Sequence, residues 1–304
     1  MRIFLTGATG YIGSAVLDAL LRGGHEVTAL VRDPQQAERL SLRGITTVAG
    51  ELSRPASYAL AAESCDTLMH TAFDSKRGQK VDRLAIDTLV AAAGRRAAAG
   101  KITGIVYTSE VRVLGPTQGQ ATEESPLRPP LLVGWRPEHE AAILDAGRDD
   151  AIRTVVVRPG IVYGGARGIV ADLLKDALNG LVRVVGDGQN HWPCVYDRDL
   201  ADLYARVAAN PDAAGIFHVN DEADERVDDI VAAIGRHTKT RPDVRHVPIA
   251  EARAKMGPYA DALALDQIVR SPRAKALGWG PTLHSVSGNV ARLLEEFRTA
   301  REAA

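Results

Sequence analysis

The chain has 304 residues, of which 45% are hydrophobic and 25% charged, and its formal net charge is -1. This balance is typical of a water-soluble folded protein and gives no electrostatic reason to expect nucleic acid or an anionic membrane as a partner. Cys65 and Cys194 lie far apart, without the spacing of a metal site, which indicates a reducing compartment. We find neither a secretory leader nor a stretch suited to a membrane helix, so we expect a cytoplasmic protein.

A strand, a glycine-rich turn and a helix follow one another at the start of the chain. Residues 2–5 predict a buried strand, and residues 15–21 predict a helix that ends at the glycine pair 23–24. In a dinucleotide site of this kind, successive glycines permit the turn, leave room for the pyrophosphate and let the helix lie close to the strand. The helix N-terminus then faces the phosphates. The pattern therefore predicts a dinucleotide site at Gly7, Thr9, Gly10, Tyr11, Ile12 and Gly13.

The end of the second predicted strand indicates which nucleotide the site prefers. Residues 26–31 (EVTALV) form this strand. In NAD-preferring folds an acidic residue at this point binds the ribose 2′-hydroxyl, whereas here Val31 is followed by Arg32. Because an arginine can pair with a 2′-phosphate, we expect NADP(H) to be favoured. Asp33, one position later, is an acidic residue that could serve NAD(H), so NAD(H) remains an alternative cofactor.

Further strands are predicted at residues 46–49, 67–70, 102–107, 153–157 and 215–219, with a long helix at residues 82–99. This alternation predicts an α/β fold of the Rossmann type, a doubly wound parallel sheet of about seven strands. Ligands bind beyond the carboxyl ends of such strands. The residues there are further candidates for cofactor contact: Glu51, Leu52, Thr71, Ala72 and Pro159. His70, at another strand end, fits a buried structural histidine better than a catalytic base.

The second half of the chain is less regular. The proline-rich stretch 111–137 predicts a loop with a role on the substrate side. Beyond it we expect helices at residues 169–178, 197–208, 228–236 and 286–300 and a short strand at 245–249. Residues 1–163 are predicted to form the nucleotide-binding core, to which segments around 181–220 return. Residues 164–304 are predicted to form mainly a smaller substrate-binding region.

Eight segments carry a family resemblance. They are TGATGYIG at 6–13, VRDP at 31–34, GEL at 50–52, HTA at 70–72, YTS at 107–109, RPGIVYG at 158–164, VYDRDLADLY at 195–204 and SPRAKALGW at 271–279. On these residues the chain resembles the extended or atypical short-chain dehydrogenase/reductases, often called the NAD-dependent epimerase/dehydratase family. The resemblance implies a Rossmann core, a C-terminal part that closes over a small-molecule substrate, and dimerisation through two helices as one arrangement.

The resemblance also implies a catalytic serine or threonine and a Tyr-x-x-x-Lys pair. Ser109 matches the first position, but Trp135 and His139 stand where the tyrosine and lysine belong. An indole N–H cannot act as an acid or base near neutral pH. Imidazole is suited to proton transfer there, so Ser109 and His139 are the catalytic candidates. A capping role or a ribose contact remains the alternative for His139.

Three functions fit these residues. The first is an NADPH-dependent reductase of a small carbonyl compound, in which Ser109, His139, a substrate group or water supplies the proton. The second is non-redox or isomerising chemistry, and the third is a binding protein that senses the cofactor without turnover. Trp135, Tyr163 and Trp192 would line an aromatic substrate pocket, which favours a carbonyl or ring substrate. Basic residues that suit a nucleotide sugar keep that alternative open: Arg167, Lys175 and Arg183.

Overall fold

Seven parallel strands form the central sheet of this computed structural model, which describes residues 1–302. The strands in chain order are β1 (Arg2–Thr6), β2 (Glu26–Val31), β3 (Thr46–Ala49), β4 (Thr67–His70), β5 (Thr103–Thr108), β6 (Gln120–Ala121), β7 (Ile152–Pro159), β8 (Ile161–Tyr163), β9 (Leu181–Val185), β10 (His191–Trp192), β11 (Cys194–Tyr196), β12 (Gly215–Val219), β13 (Glu225–Arg226), β14 (Asp243–Val247) and β15 (Ile268–Val269). The order across the sheet is β12-β7-β5-β4-β1-β2-β3, which confirms the predicted Rossmann-type α/β fold. β1 lies between β2 and β4, so the order reverses at this strand. Nucleotides bind at such a switch point, beyond the carboxyl ends of the strands.

Helices connect the strands. They are α1 (Tyr11–Arg22), α2 (Pro34–Leu42), α3 (Ala59–Glu63), α4 (Gly78–Ala98), α5 (Arg136–Ala146), α6 (Ile169–Leu178), α7 (Asp197–Ala209), α8 (Val227–Arg236), α9 (Ile249–Met256), α10 (Tyr259–Leu263), α11 (Pro272–Ala276) and α12 (Val290–Glu302). The prediction that the first helix starts at residue 15 is wrong, because Gly10 takes an extended N-cap conformation and the helix begins directly after it. Among residues 1–302, no helix has both the length and the apolar character that a bilayer crossing requires.

The stretch predicted as a loop, 111–137, contains more regular structure than expected. It includes two short 3-10 helices, Val111–Leu114 and Leu131–Val133, as well as β6, and its end begins α5. α2 was also not predicted, although its N-cap follows the usual chemistry. The Asp33 carboxylate accepts a hydrogen bond from the Gln35 N–H (2.9 Å), and a proline follows at the first helical position.

The chain forms two units, each made of separate segments. The first unit comprises Met1–Ser109, Trp135–Arg158 and Ala201–Phe217. Its core on one side of the sheet is made of strand residues and the apolar faces of α4 and α5: Phe4, Leu68, Ile105, Val156, Ala85, Leu89 and Ile143. Removing these side chains from water stabilises the stacking of the helices on the sheet by about 25 cal/mol for each Å² of apolar surface.

The second unit comprises Glu110–Gly134, Pro159–Leu200 and His218–Ala304. Its short strands pair two by two: β8 with β11, β9 with β14, β10 with β13 and β6 with β15. Two buried carboxylates hold the segment that leads into α12. Asp199 accepts hydrogen bonds from the Thr282 and Leu283 N–H groups (2.8 and 3.1 Å), and Glu225 accepts from the Val286 N–H (2.6 Å).

Candidate functional site

The glycine-rich turn after β1 brings three backbone segments into close contact. Gly7 has a φ of +80°, and a Cβ there would lie 2.7 Å from the Ala72 nitrogen. A Cβ on Gly13 would overlap the Gly7 carbonyl oxygen. Gly10 donates to that same oxygen (2.8 Å) and serves as N-cap of α1 without a side-chain cap. The turn therefore requires glycine, and the N-terminus of α1 faces outward with backbone N–H groups available to an anion.

A cavity of about 330 Å³ lies at this turn, within the first unit. Ten of the twelve predicted cofactor residues line it: Gly7, Thr9, Gly10, Tyr11, Ile12, Arg32, Glu51, Leu52, Thr71 and Ala72. Gly13 is instead buried against the turn, and Pro159 is the buried last residue of β7, in the second unit. Five lining residues were not predicted: Thr6, Leu30, Ser53, Phe73 and Asp74. The glycine turn and the carboxyl ends of β1 to β4 thus meet around one space of a size that suits a small-molecule ligand.

Arg32 lines this cavity, whereas the next residue, Asp33, does not. The Arg32 side chain is 69% exposed, and its guanidinium lies 3.9 Å from the Asp74 carboxylate. The Asp33 carboxylate is occupied by the cap of α2. Glu51, opposite, is paired with Arg54 (2.7 Å) and Arg77 (3.3 Å). The cavity therefore offers one long, exposed cation at the end of β2.

Asp82, which the sequence analysis did not single out, is the centre of a buried hydrogen-bond network in the first unit. It lies on α4 and is 3% exposed. Its Oδ2 accepts from the Tyr107 hydroxyl (2.9 Å) and lies 2.7 Å from His139 Nδ1. Its Oδ1 lies 3.2 Å from Nε2 of His70, whose Nδ1 is 2.7 Å from Thr6 Oγ1. Side chains from two strands and one further helix therefore meet at this carboxylate, and His70 links Thr6 of a third strand to it.

The surroundings of Asp82 shift two pKa values in opposite directions. Burial alone raises the pKa of Asp82, but hydrogen bonds from His139 and His70 and the nearby Arg136 guanidinium hold it well below its usual range. The pKa of Tyr107 is far above its usual range, because of burial first and the Asp82 charge second. Asp82 is thus a carboxylate that only accepts hydrogen bonds, and Tyr107 is a neutral phenol that donates one.

Ser109 and His139, the predicted catalytic residues, are both buried in the first unit. The Ser109 N–H donates to the Val157 carbonyl (2.7 Å), but its Oγ has no hydrogen-bond partner among residues 1–302. For His139, the bond at Nδ1 leaves Nε2 without a recorded partner in that same stretch of chain. Buried polar atoms of folded proteins are rarely left unpaired, so the Ser109 Oγ is suited to contact a ligand, and the open Nε2 makes His139 a second candidate for such a contact.

Trp135, a predicted substrate residue, is part of an aromatic group in the first unit. Its ring stacks on Phe73, with ring centroids 6.0 Å apart, and its edge meets the His139 ring at 4.8 Å. The Arg136 guanidinium lies over the indole at 4.5 Å and donates to the Thr108 carbonyl (3.2 Å). Phe73 is 52% exposed and also lines the cavity. This group therefore places an exposed aromatic surface beside His139.

The other two predicted substrate residues lie in the second unit. Trp192 lines a separate, largely apolar cavity of about 290 Å³, and its indole N–H donates to the Leu263 carbonyl (3.0 Å). Arg183, from the basic set that kept a nucleotide sugar open, also lines this cavity. Tyr163 is instead completely buried in the core, where its hydroxyl donates to Asp221 or to the Leu283 carbonyl, both at 3.3 Å.

The sequence carried one signal for the missed network. Asp82 is an acidic residue between the apolar residues Val81, Ala85 and Ile86, on a face of α4 that is buried. A charged side chain is rarely buried without partners, so its place among core positions indicates a buried hydrogen-bond network. The partners themselves were not visible, because four of the five residues come from other elements. Within residues 1–302, no group of three or more His, Cys, Asp or Glu residues is arranged to hold a metal ion.

Comparison with known proteins agrees with the fold. A sequence profile of the NAD dependent epimerase/dehydratase family matches residues 3–220. The "Uncharacterized protein C2A9.02" of Schizosaccharomyces pombe is 29% identical over 296 residues, which cover 96% of this chain and 98% of that protein. A 2-alkyl-3-oxoalkanoate reductase of Stenotrophomonas maltophilia is 28% identical over 260 residues, with 77% of this chain and 76% of the reductase covered.

A solved structure shows the same fold. The human epimerase family protein SDR39U1 (isoform 2), crystallised with NADPH, superposes on this chain with a TM-score of 0.80 at 22% identity. The match covers 97% of this chain and 99% of the human chain. The resemblance that the sequence motifs indicated is confirmed, because the family profile spans more than half of the chain. This protein therefore belongs to the NAD dependent epimerase/dehydratase family.

Proposed function

We propose that this protein is an NADPH-dependent reductase of a small carbonyl compound. The observation that carries the proposal is the cavity at the glycine turn, where Arg32 lies on the wall and Asp33 is occupied in the cap of α2. An acidic residue that is engaged with its own helix does not compete for a ribose 2′-hydroxyl, whereas an exposed arginine attracts a 2′-phosphate. The NADPH found with the human SDR39U1 protein is consistent with this preference.

Different residues of the cavity would contact different parts of the cofactor. The N-terminus of α1, from Gly10 onward, would hold the pyrophosphate, as helix N-termini commonly do. Glu51 and Leu52 would lie along the adenine, and Arg32 would bind the 2′-phosphate in place of Asp74. Thr71 would contact the cofactor through the backbone at the end of β4. Close backbone approach is allowed at the turn because Gly7, Gly10 and Gly13 carry no side chains.

The catalytic chemistry would fall to Ser109 and His139. When bound, NADPH supplies a hydride to the carbonyl carbon. Ser109 would donate a hydrogen bond to the carbonyl oxygen, which gives its orphaned Oγ a partner. His139 would provide the proton that this oxygen takes up, through Nε2. The two residues would thus perform the task that a Tyr-x-x-x-Lys pair performs in related enzymes.

An apolar carbonyl compound is the substrate class that these surroundings favour. Phe73 and Trp135 offer an exposed aromatic surface in the first unit, and Trp192 lines an apolar cavity in the second. The relative from Stenotrophomonas maltophilia is, by its name, a reductase of 2-alkyl-3-oxoalkanoates. A nucleotide sugar is the second candidate, because Arg183 also lines the cavity of the second unit.

The decisive experiment combines NADPH binding with turnover. The protein is titrated with NADPH by cofactor fluorescence and then mixed with a panel of aldehydes, ketones and 3-oxo acids while absorbance at 340 nm is followed. We expect binding and a fall in absorbance with at least one carbonyl, and about a 10²-fold lower kcat in Ser109→Ala. Ser14→Ala serves as a control, because Ser14 bonds only within α1. Binding without any NADPH oxidation would favour the non-redox or sensing alternatives.

A further inference from the structure

We propose that Asp82 is the positioning residue of this site: its carboxylate holds the His139 ring with a proton on Nδ1 and leaves Nε2 as the nitrogen that exchanges a proton with substrate. The proposal rests on the proposed reductase function, which it deepens. We place the carboxylate in contact with neither cofactor nor substrate, so it acts only through His139. Trp135 and His139 replace the tyrosine and lysine of related enzymes, so a different group must orient the proton donor.

The hydrogen-bond geometry leaves one assignment of protons. An ionised carboxylate only accepts, so every group that contacts Asp82 has to donate. Tyr107 donates its hydroxyl to Oδ2, and His139, at 2.7 Å from the same oxygen, must therefore carry its proton on Nδ1. His70 must donate through Nε2 to Oδ1, and its Nδ1 then accepts from the Thr6 hydroxyl at 2.7 Å.

This assignment satisfies every polar atom of the network except one. The Asp82 carboxylate receives three donors, and both nitrogens of His70 are paired. Only Nε2 of His139 remains without a recorded partner among residues 1–302. In the opposite tautomer, a lone pair of His139 would face a carboxylate oxygen at hydrogen-bond distance, and the buried carboxylate would lose a donor. The network therefore directs the exchangeable position of His139 to Nε2.

The charges around the network keep Asp82 ionised. The Arg136 guanidinium donates to the Tyr107 hydroxyl at 3.3 Å and offsets the carboxylate charge. The nearby Glu140 is neutralised by a two-bond ion pair with Arg158, at 3.0 and 2.5 Å. No excess negative charge thus disfavours the carboxylate. The ionised carboxylate can therefore accept the Nδ1 proton of His139 both before and after Nε2 gives up its own proton.

Reduction of the carbonyl would move one proton from His139 Nε2 to the substrate oxygen. His139 enters with protons on both nitrogens. Bound NADPH would supply the hydride for the new C–H bond, so that the carbonyl π electrons move to oxygen. This oxygen would take the Nε2 proton of His139 to become a hydroxyl. His139 would be left neutral with its proton on Nδ1, still bonded to Asp82, and water would then return a proton to Nε2.

Asp82→Asn tests the proposal, with Asp87→Asn as the matched control. Asp87 lies on the same helix but is exposed and paired with Arg83 at 2.8 Å. The first readout is long-range ¹H–¹⁵N correlation of histidine-labelled protein, which shows the nitrogen that carries the proton in the neutral ring. We expect His139 to be protonated on Nδ1 in the wild type and in Asp87→Asn. In Asp82→Asn the Nε2–H form should appear, because an amide cannot accept from three donors.

The second readout separates positioning from structural damage. In Asp82→Asn we expect kcat to fall about 10²-fold, while the Kd for NADPH stays within about threefold of the wild type. Asp87→Asn should match the wild type in both. A wild-type His139 with its proton on Nε2, or an Asp82→Asn kcat equal to that of wild type, overturns the proposal. If no carbonyl oxidises NADPH, the reductase function fails, and the wild-type tautomer still decides whether Asp82 holds the ring as proposed.

Discussion

Replacing Asp221 by asparagine should make the protein less sensitive to alkaline pH. Asp221 is 6% exposed in the second unit, where Oδ1 accepts from the Ala223 N–H (3.1 Å) and Oδ2 from the Tyr163 hydroxyl (3.3 Å). Burial first, and the charge of Glu225 among the other causes, raise the pKa of Asp221 to about 8. An asparagine keeps this geometry, because its Nδ2 can donate to the Tyr163 oxygen while Tyr163 donates to the Leu283 carbonyl.

The sign and size of the effect follow from proton linkage. An unfolded aspartate has a pKa of about 3.9, so between about pH 4 and 8 the folded chain holds a proton that the unfolded chain has lost. Unfolding then releases a proton, and stability falls as pH rises through this window and levels off above pH 8. At about 1.36 kcal/mol for each unit of pKa difference, the loss between pH 6 and pH 8.5 is about 2.5 kcal/mol. Asp221→Asn abolishes this loss.

Urea unfolding at pH 6 and at pH 8.5, followed by tryptophan fluorescence, measures the effect. The advantage of Asp221→Asn over the wild type should be about 2.5 kcal/mol larger at the higher pH. Asp199→Asn is the control, because Asp199 accepts from the Thr282 N–H and hydroxyl and from the Leu283 N–H. That variant should lose about 1–3 kcal/mol at both pH values. An Asp221→Asn advantage that is the same at both would show that Asp221 is already ionised in the folded protein.

Three further predictions concern the first unit. Arg32→Ala should weaken NADPH binding about tenfold or more and NADH binding much less; equal losses in fluorescence titrations would contradict a 2′-phosphate contact. Gly13→Ala should destabilise the fold by 3 kcal/mol or more, on the order of an overpacked core site, whereas Gly94→Ala, in open space on α4, should gain up to about 1 kcal/mol in thermal unfolding. Glu140→Gln should cost about 3–5 kcal/mol because it removes the carboxylate charge that faces the buried Arg158 guanidinium, and exposed Glu138→Gln should cost under about 1 kcal/mol; similar urea midpoints would show that the buried pair contributes no more than a surface pair.

Local patterns in the sequence were enough for the sheet and for most of the cavity at the glycine turn. Four strands, β2, β3, β4 and β12, have the bounds that were predicted, because each is a short apolar run between turn residues. The glycine turn was equally readable, since only glycine fits its backbone and its close contacts. From the glycine turn and the ends of the other strands, ten cofactor candidates were predicted that line one cavity. This works because parallel strands bring their carboxyl ends to a single edge of the sheet.

Tertiary structure alone decided the rest. Asp33 could be read as a ribose ligand until α2 placed its carboxylate in a helix cap. Tyr163 is an aromatic residue of the kind that lines pockets, but the packing of the second unit buries it completely in the core. The Asp82 network was not accessible to any local pattern, because its members are separated by up to 133 positions along the chain, from Thr6 to His139. Hydrogen bonds depend on distances of about 3 Å in space, and only the packing of α4 and α5 on the sheet sets those distances.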